Sequence, residues 1–215
     1  MEKRAFKDQS YAAIAEIGKS FATGNRLEII DLLANGEKTV EQIARQTGIS
    51  VANASRHLHI LKKAHLVENR RDGNFIFYRL NGPLAYAVWH ALRTLALAEE
   101  PGVQVLLRNF RQEMDSPGSV SHDDLPDLQA CCLLDVRPRE EFDAGHLEGA
   151  VSVPLDELPG RLADLPRDKQ IVTYCRGSFC TYADEAVKLL RDQGFKAIRL
   201  EENVLDVVIA KNKEV

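Results

Sequence analysis

No stretch of this chain approaches the roughly 18–20 consecutive apolar residues that a bilayer-spanning helix needs, so no membrane span is expected. The opening segment MEKRAFKDQS is charged with no apolar stretch behind it, and a secretory signal is not expected either. Cysteine is scarce: four in 215 residues do not make a disulfide scaffold. A reducing, cytoplasmic setting fits that count and leaves the thiols for chemistry or for packing. Internal repeats and low-complexity tracts are missing too. What remains, with 45% hydrophobic residues, can bury a real core and is long enough for two small domains.

Charge is unevenly spread. Residues 1–98 hold 14 Lys/Arg against 9 Asp/Glu, a net of +5, whereas residues 99–215 hold 14 against 23, a net of −9. A basic half joined to an acidic half fits a nucleic-acid contact confined to the first. Ordinary surface variation gives similar numbers, so the pattern of residues has to decide.

The first hundred residues are mostly helical by pattern. Arg26 to Ala34 carries Leu27, Ile29, Ile30, Leu32 and Leu33 and ends at Asn35-Gly36. Thr39 opens a second helix whose apolar side is Val40, Ile43 and Ala44, with Gly48 beyond its end. Ser50 N-caps a third, running to about Lys63. Two short helices joined by Thr47-Gly48-Ile49 form a helix-turn-helix signal. Two alternating runs in Leu66 to Leu80 flank Asp72-Gly73, the signature of a hairpin, here a basic wing. Pro83 starts a helix carrying Leu84, Val88, Trp89, Leu92 and Leu95. Pro101-Gly102 interrupts or restarts it, and a helical stretch reaches about Met114. Residues 115–121, DSPGSVS, read as a linker.

On the helix from Ser50, Ala54, Leu58 and Leu61 share one face and should enter the core. Ala52, Ser55, Arg56 and His59 point the other way, with Asn53 at the flank, which is the split a recognition helix needs. Arg70, Arg71 and Asn74 on the wing would contact phosphate or the minor groove. The alternative, a solvated polar helix face, loses weight because turn, capped helix and basic wing follow in order.

The segments GNRLEIIDLL, TVEQIARQTGISVANASRHLHILKKAHLV and FIFYRL resemble those of the ArsR-type winged-helix repressors, over about residues 5–98. The resemblance implies a homodimer, held by the first helix and the helix with Trp89, that reads an imperfect palindrome in double-stranded DNA. It maps base reading onto Val51, Ala52, Ser55 and Arg56. The first two are commonly polar in the family, so apolar side chains there would touch thymine methyls. Many members sense metals, but VEQIARQTG carries no thiol and His90 lacks acidic or histidine partners, so no metal site is expected. His57 is expected to pack, and His65 to end the helix where glycine is usual.

The second half changes rhythm. Strands are expected at Cys132 to Val136, Val151 to Val153, Ile171 to Tyr174 and Ala197 to Leu200, with helices over Leu155 to Leu165 and Thr181 to Gln193. Short strands alternating with helices imply a mainly parallel α/β sheet, whose ligands bind beyond the strand C-termini. Cys175 falls there, at the start of a helix, where unpaired N–H groups and the helix dipole favour thiolate.

LLDVRPREEFDAGHLEGAVSVPLDEL and IVTYC resemble a rhodanese domain, over residues 123–200. The resemblance implies that Cys175 is the nucleophile and a carrier of covalent persulfide, cradled by the loop Arg176, Gly177, Ser178, Phe179, Cys180 and Thr181. It makes Asp135, Arg137, Glu141 and His146 framework residues that brace the loop. Where the family often places an arginine that binds an anionic sulfur donor, this chain has Cys180. Arg176 would partly replace that charge, and turnover of thiosulfate is expected to be weak. The end, LEENVLDVVIAKNKEV, lacks the family's usual glycine-aromatic-Trp ending, so the last helix should pack differently or serve an interface.

Cys180 is either a small buried filler or a resolving thiol that attacks a modified Cys175; Cys131 and Cys132 are expected to pack. The domains are therefore expected at 1–100 (winged helix), 101–121 (helical connector and linker) and 122–215 (rhodanese-like). The leading expectation is a cytoplasmic, dimeric repressor that senses reactive sulfur or oxidants through Cys175, with Cys180 resolving and no cofactor. The donor would be polysulfide, thiosulfate or a low-molecular-weight persulfide. The alternative is a sulfurtransferase whose DNA-binding module serves localisation or autoregulation, or a dead rhodanese fold used as a binding module.

Overall fold

Thr39 fixes the start of the helix-turn-helix by a reciprocal cap. Its hydroxyl accepts from the Gln42 amide, and the Gln42 side chain accepts from the Thr39 amide at 2.8 Å. This computed structural model describes residues 2–116, 118–125 and 130–213; Pro117, inside the predicted linker, lies outside them. It divides into two units between Leu92 and Arg93.

In the first unit α1 (Lys3–Lys19) and α2 (Gly24–Leu33) precede a short strand β1 (Lys38–Thr39) and the pair α3 (Val40–Thr47) and α4 (Val51–Lys63). Gly48, at φ 70°, supplies the left-handed residue that turns the chain between the last two, and Ser50 caps α4 by accepting from the Asn53 amide. Strands β2 (Val67–Asp72) and β3 (Phe75–Leu80) form the predicted wing, paired from Val67–Leu80 to Asp72–Phe75. The two turn residues are Gly73 and Asn74. β1 adds a third strand against β3, unseen in the sequence because two residues show no alternation. α5 (Pro83–Glu99) follows, and the division falls within it.

Ile29, Ile30, Ile43, Ala54, Leu58 and Leu61 are wholly buried. Burying each of the larger ones contributes about 1.5–3 kcal/mol, more than any single cap here, so the apolar stripes of α2, α3 and α4 set the packing. The Trp89 indole donates to Asp31 at 2.8 Å and ties α5 to α2. By contrast α1 buries no residue, and Phe6, Tyr11 and Ile14 on it, with Leu84 and Val88 on α5, are exposed.

The second unit contains α6 (Pro101–Glu113) and a five-stranded sheet in the order β4-β8-β7-β5-β6, every neighbouring pair parallel. Its strands are β4 (Ser119–Val120), β5 (Cys131–Asp135), β6 (Val151–Ser152), β7 (Gln170–Tyr174) and β8 (Ala197–Leu200). α7 (Arg139–Ala144), α8 (Tyr182–Asp192) and α9 (Val204–Lys213) complete it. Alternate strand residues enter two cores: Leu134, Ile171 and Ala197 pack with Ala186, Val187 and Leu190 of α8, whereas Leu133, Val172, Tyr174 and Leu200 pack with Val207 of α9. Coverage of both faces is what a parallel sheet requires. Cys131 and Cys132 divide between these cores, as packing residues would.

Two expectations fail here. Leu155 to Leu165 is not one helix but two 3₁₀ turns, Leu158–Gly160 and Leu162–Asp164. Pro159 offers no amide and Gly160 little helical preference, so the continuous ladder cannot form. The predicted linker also does more than connect: Ser119 and Val120 form the edge strand on β8, and α6 belongs to the second unit, so that unit begins before the expected 122.

His65 ends α4 as expected. It sits at φ 57°, its amide bonds the Lys62 carbonyl and the Leu66 amide bonds the Leu61 carbonyl, each at 3.0 Å. A left-handed residue with a Cβ costs about 1–2 kcal/mol, part of which glycine returns as unfolded-state entropy. His65→Gly should therefore raise stability by about 1 kcal/mol, read as a higher midpoint in denaturant unfolding.

Candidate functional site

The exposed face of α4 carries Val51, Ala52, Ser55, Arg56 and His59, with Asn53 half-buried, and Ala54, Leu58 and Leu61 lie buried behind. Asn53 orients Arg56 by accepting from its guanidinium at 3.3 Å. His57 is buried beside Asn25, and burial, with Arg26 and Arg56 nearby, holds its imidazole below the ordinary range. On the wing, Arg71 donates to the Gly73 carbonyl at 3.1 Å, and Arg71 and Asn74 are exposed. Arg70 differs from expectation: Glu37 and Asp72 both bind its guanidinium, which also lies 4.7 Å over the Phe77 ring. A cation so paired strengthens the wing before it strengthens a phosphate contact.

Cys175 follows directly on the central strand β7, at the C-terminal edge of the sheet. It is 1% exposed, and its thiol donates to the Cys180 carbonyl at 3.4 Å. Cys180, two residues before α8, is partly exposed, and its carbonyl is the acceptor of the Cys175 thiol. Between them the loop turns at Gly177, whose φ of 104° is a backbone conformation that residues with a Cβ rarely adopt. Ser178 is buried, Phe179 is largely exposed, and the Thr181 hydroxyl donates to Glu185 at 2.6 Å.

Buried ion pairs brace this loop. Arg176 donates to Glu141 of α7 through Nε at 2.9 Å and Nη2 at 2.7 Å and lies 5.1 Å over the Tyr182 ring. Arg199 of β8 donates to Asp184 of α8 at 2.7 Å and to the Gly177 carbonyl at 3.2 Å. Asn203 donates to the Arg176 carbonyl at 3.1 Å and exchanges caps with Asp206 at the start of α9, and Asp206 pairs with Arg93. Asp135 and Arg137 pair with each other, the closest contact being 2.6 Å, and Arg137 holds the Gly145 carbonyl at 2.8 Å. They fix the end of α7, which carries Glu141. His146 is exposed, stacked on Phe142, and bonds the Phe142 carbonyl at 3.0 Å; these contacts run away from the cysteine loop.

Residues 23–69 match the family model for bacterial regulatory proteins of the arsR family, and residues 121–203 match the rhodanese-like domain. The HTH-type transcriptional regulator Rv0324 of Mycobacterium tuberculosis is 38% identical over 208 residues, 95% of this chain and 89% of that protein. This chain belongs to the ArsR family of regulators and carries a rhodanese-like domain. A sulfurtransferase of Allochromatium vinosum is 31% identical over 71 residues, 33% of this chain and 64% of that protein. The homodimeric winged helix-turn-helix DNA-binding domain of Mb0332 from Mycobacterium bovis matches with 37% identity and a TM-score of 0.43, covering 46% of this chain and 91% of that one.

In this ArsR-family regulator the acidic thiol is not the one expected. Burial, then the neighbouring sulfur, pushes Cys175 well above the usual thiol range. Cys180 is pulled down to about 7, first by the hydrogen bond from Cys175, then by the Arg176 charge and the amides of Arg176 and Tyr182. Of the two neighbouring thiols, Cys180 is the one drawn towards thiolate. Arg176, expected to replace part of a donor-binding charge, has its guanidinium held at Nε and Nη2 by Glu141. Sequence reasoning missed Arg93, Asp184, Arg199 and Asn203. One signal was available: Arg199 sits inside the otherwise apolar strand AIRL, and a buried arginine demands a carboxylate.

Two outcomes follow for this ArsR-family regulator. Alkylation of Cys180 by iodoacetamide, followed by mass spectrometry, should outpace that of Cys175 and rise with pH to a plateau above about 7. Cys175→Ala removes the donor and should move that midpoint upward. Glu141→Ala strands Arg176 in the interior and should cost about 3–5 kcal/mol in unfolding, with Glu141→Ala/Arg176→Met recovering part of it.

Proposed function

We propose that the protein is a cytoplasmic homodimeric repressor that senses reactive sulfur species through the Cys175–Cys180 pair and releases its operator when they are bridged. The observation carrying this is the pair itself: the Cys175 thiol lies 3.4 Å from the Cys180 carbonyl across one tight loop, and Arg176 of the loop and Arg199 of β8 are bound to carboxylates. That arrangement favours a single, reversible oxidation over repeated turnover of an anionic donor.

The remaining parts agree. α4 offers polar groups and Arg56 to base edges of an imperfect palindrome. Exposed Phe6, Tyr11 and Ile14 on α1 and Leu84 and Val88 on α5 supply an apolar surface that a second copy would cover. Within the second unit the cysteine loop is tied to the end of α5 by an ion pair and hydrogen bonds: Arg93 binds Asp206, whose capping partner Asn203 holds the Arg176 carbonyl. Shifting a two-state equilibrium from 1:99 to 99:1 takes about 5.5 kcal/mol. One crosslink of about 2–4 kcal/mol in each of two subunits is on that scale.

The test is operator binding at fixed salt, with and without polysulfide. Reduced wild type should bind, and polysulfide should weaken it at least tenfold, with the loop peptide gaining a bridge by mass spectrometry. Cys175→Ser and Cys180→Ser should stay bound. Unchanged wild-type affinity would overturn the switch. Fast sulfur transfer lost in Cys175→Ser but kept in Cys180→Ser would establish the sulfurtransferase reading instead.

A further inference from the structure

Beside the cysteine loop the second unit holds a cavity of about 380 Å³. Val103, Leu107 and Phe110 of α6 line one side, and Phe179, Cys180 and Asp184 are among those on the other. The size suits a small molecule. Its walls are mostly apolar, with Ser178, Thr181 and Asp184 the polar residues on them, and no lysine or arginine lines it. Arg176 of the loop and Arg199 of β8 are bound to Glu141 and Asp184. Asp184 is 1% exposed; its Oδ2 accepts from Arg199 while Oδ1 has no hydrogen-bond partner. A dianion such as thiosulfate would lose its water there and gain no charge partner. Cys175 does not line the cavity, so whatever enters meets Cys180 first.

We propose that this cavity binds a small, neutral, apolar organic disulfide or polysulfide, and that Cys180 is the sulfur that attacks it. This rests on the sulfur-sensing reading of the pair. The Cys180 thiolate attacks one sulfur of R–S–S–R′; a Cys180–S–S–R bond forms, the donor S–S bond breaks, and R′–S⁻ leaves. The Cys175 proton passes to R′–S⁻. The Cys175 thiolate then attacks Cys180 Sγ and expels R–S⁻. The donor takes two electrons and becomes two thiol species; the two cysteines lose them and become a disulfide.

The test uses the full-length protein with dipropyl disulfide, glutathione disulfide and thiosulfate as probes, and each rate is divided by that of a free thiol of similar pKa. Cys180 should form the propyl adduct at least tenfold faster, on this scale, than the glutathione adduct, and thiosulfate should not react. Cys175→Ser should trap the propyl adduct on Cys180. Leu107→Gln should remove the preference, each disulfide rate being divided by the rate of iodoacetamide labelling of Cys180 in the same variant, and Leu107→Asp should do so as well. A first adduct on Cys175, equal normalised rates for the two disulfides, or a preference that survives both Leu107 variants would overturn the proposal. Operator binding in the same samples separates the two readings. Selective capture without operator release upholds the cavity and sinks the sensor, whereas release with unselective capture sinks the cavity alone.

Discussion

The cysteine loop stands where it does because charges buried around it must be paired. Arg176 with Glu141, and Arg199 with Asp184, are each withdrawn from water almost completely. Removing one partner from such a pair costs about 3–5 kcal/mol, a large part of a domain's net stability. The pairs therefore dictate geometry. α7 must present Glu141, α8 must present Asp184, and β8 must deliver an arginine between apolar neighbours. The sulfurs respond to the same surroundings: burial raises one thiol, while the neighbouring cysteine and the Arg176 charge lower the other.

The first unit is organised by different means. Arg26 and Lys38 are buried, but most of its other charged groups lie near the surface, and its geometry comes from caps and apolar stripes. The Thr39–Gln42 box, Gly48, Ser50 and the His65 turn each end or begin a helix within a residue of where the backbone demands it. Together they fix the angle at which α4 presents Arg56. Local chemistry of this kind is written in neighbouring residues.

That difference explains what could be read from the sequence. The wing, the helix-turn-helix, the caps and the alternation of strands with α8 are local, and they stand where the residues place them. His65 could be recognised as a helix end because only a few residues are involved. The failures are non-local or too short. Pro159-Gly160 breaks a helix that apolar spacing alone suggested, and Ser119–Val120 is a strand only because β8 lies beside it. Cys175 looked activated from its place before a helix, but burial by residues distant in sequence reverses the order of acidity. Arg70 looked free on the wing because Glu37 is thirty-three residues away.

Gly177 has a mechanical consequence. Its carbonyl is held by Arg199, the preceding carbonyl by Asn203, and its φ of 104° is one that a residue with a Cβ rarely adopts. A loop anchored on several sides has little compliance. Under the proposed bridging, a change in the separation of the two sulfurs would find little slack within the loop and would be passed to its anchors.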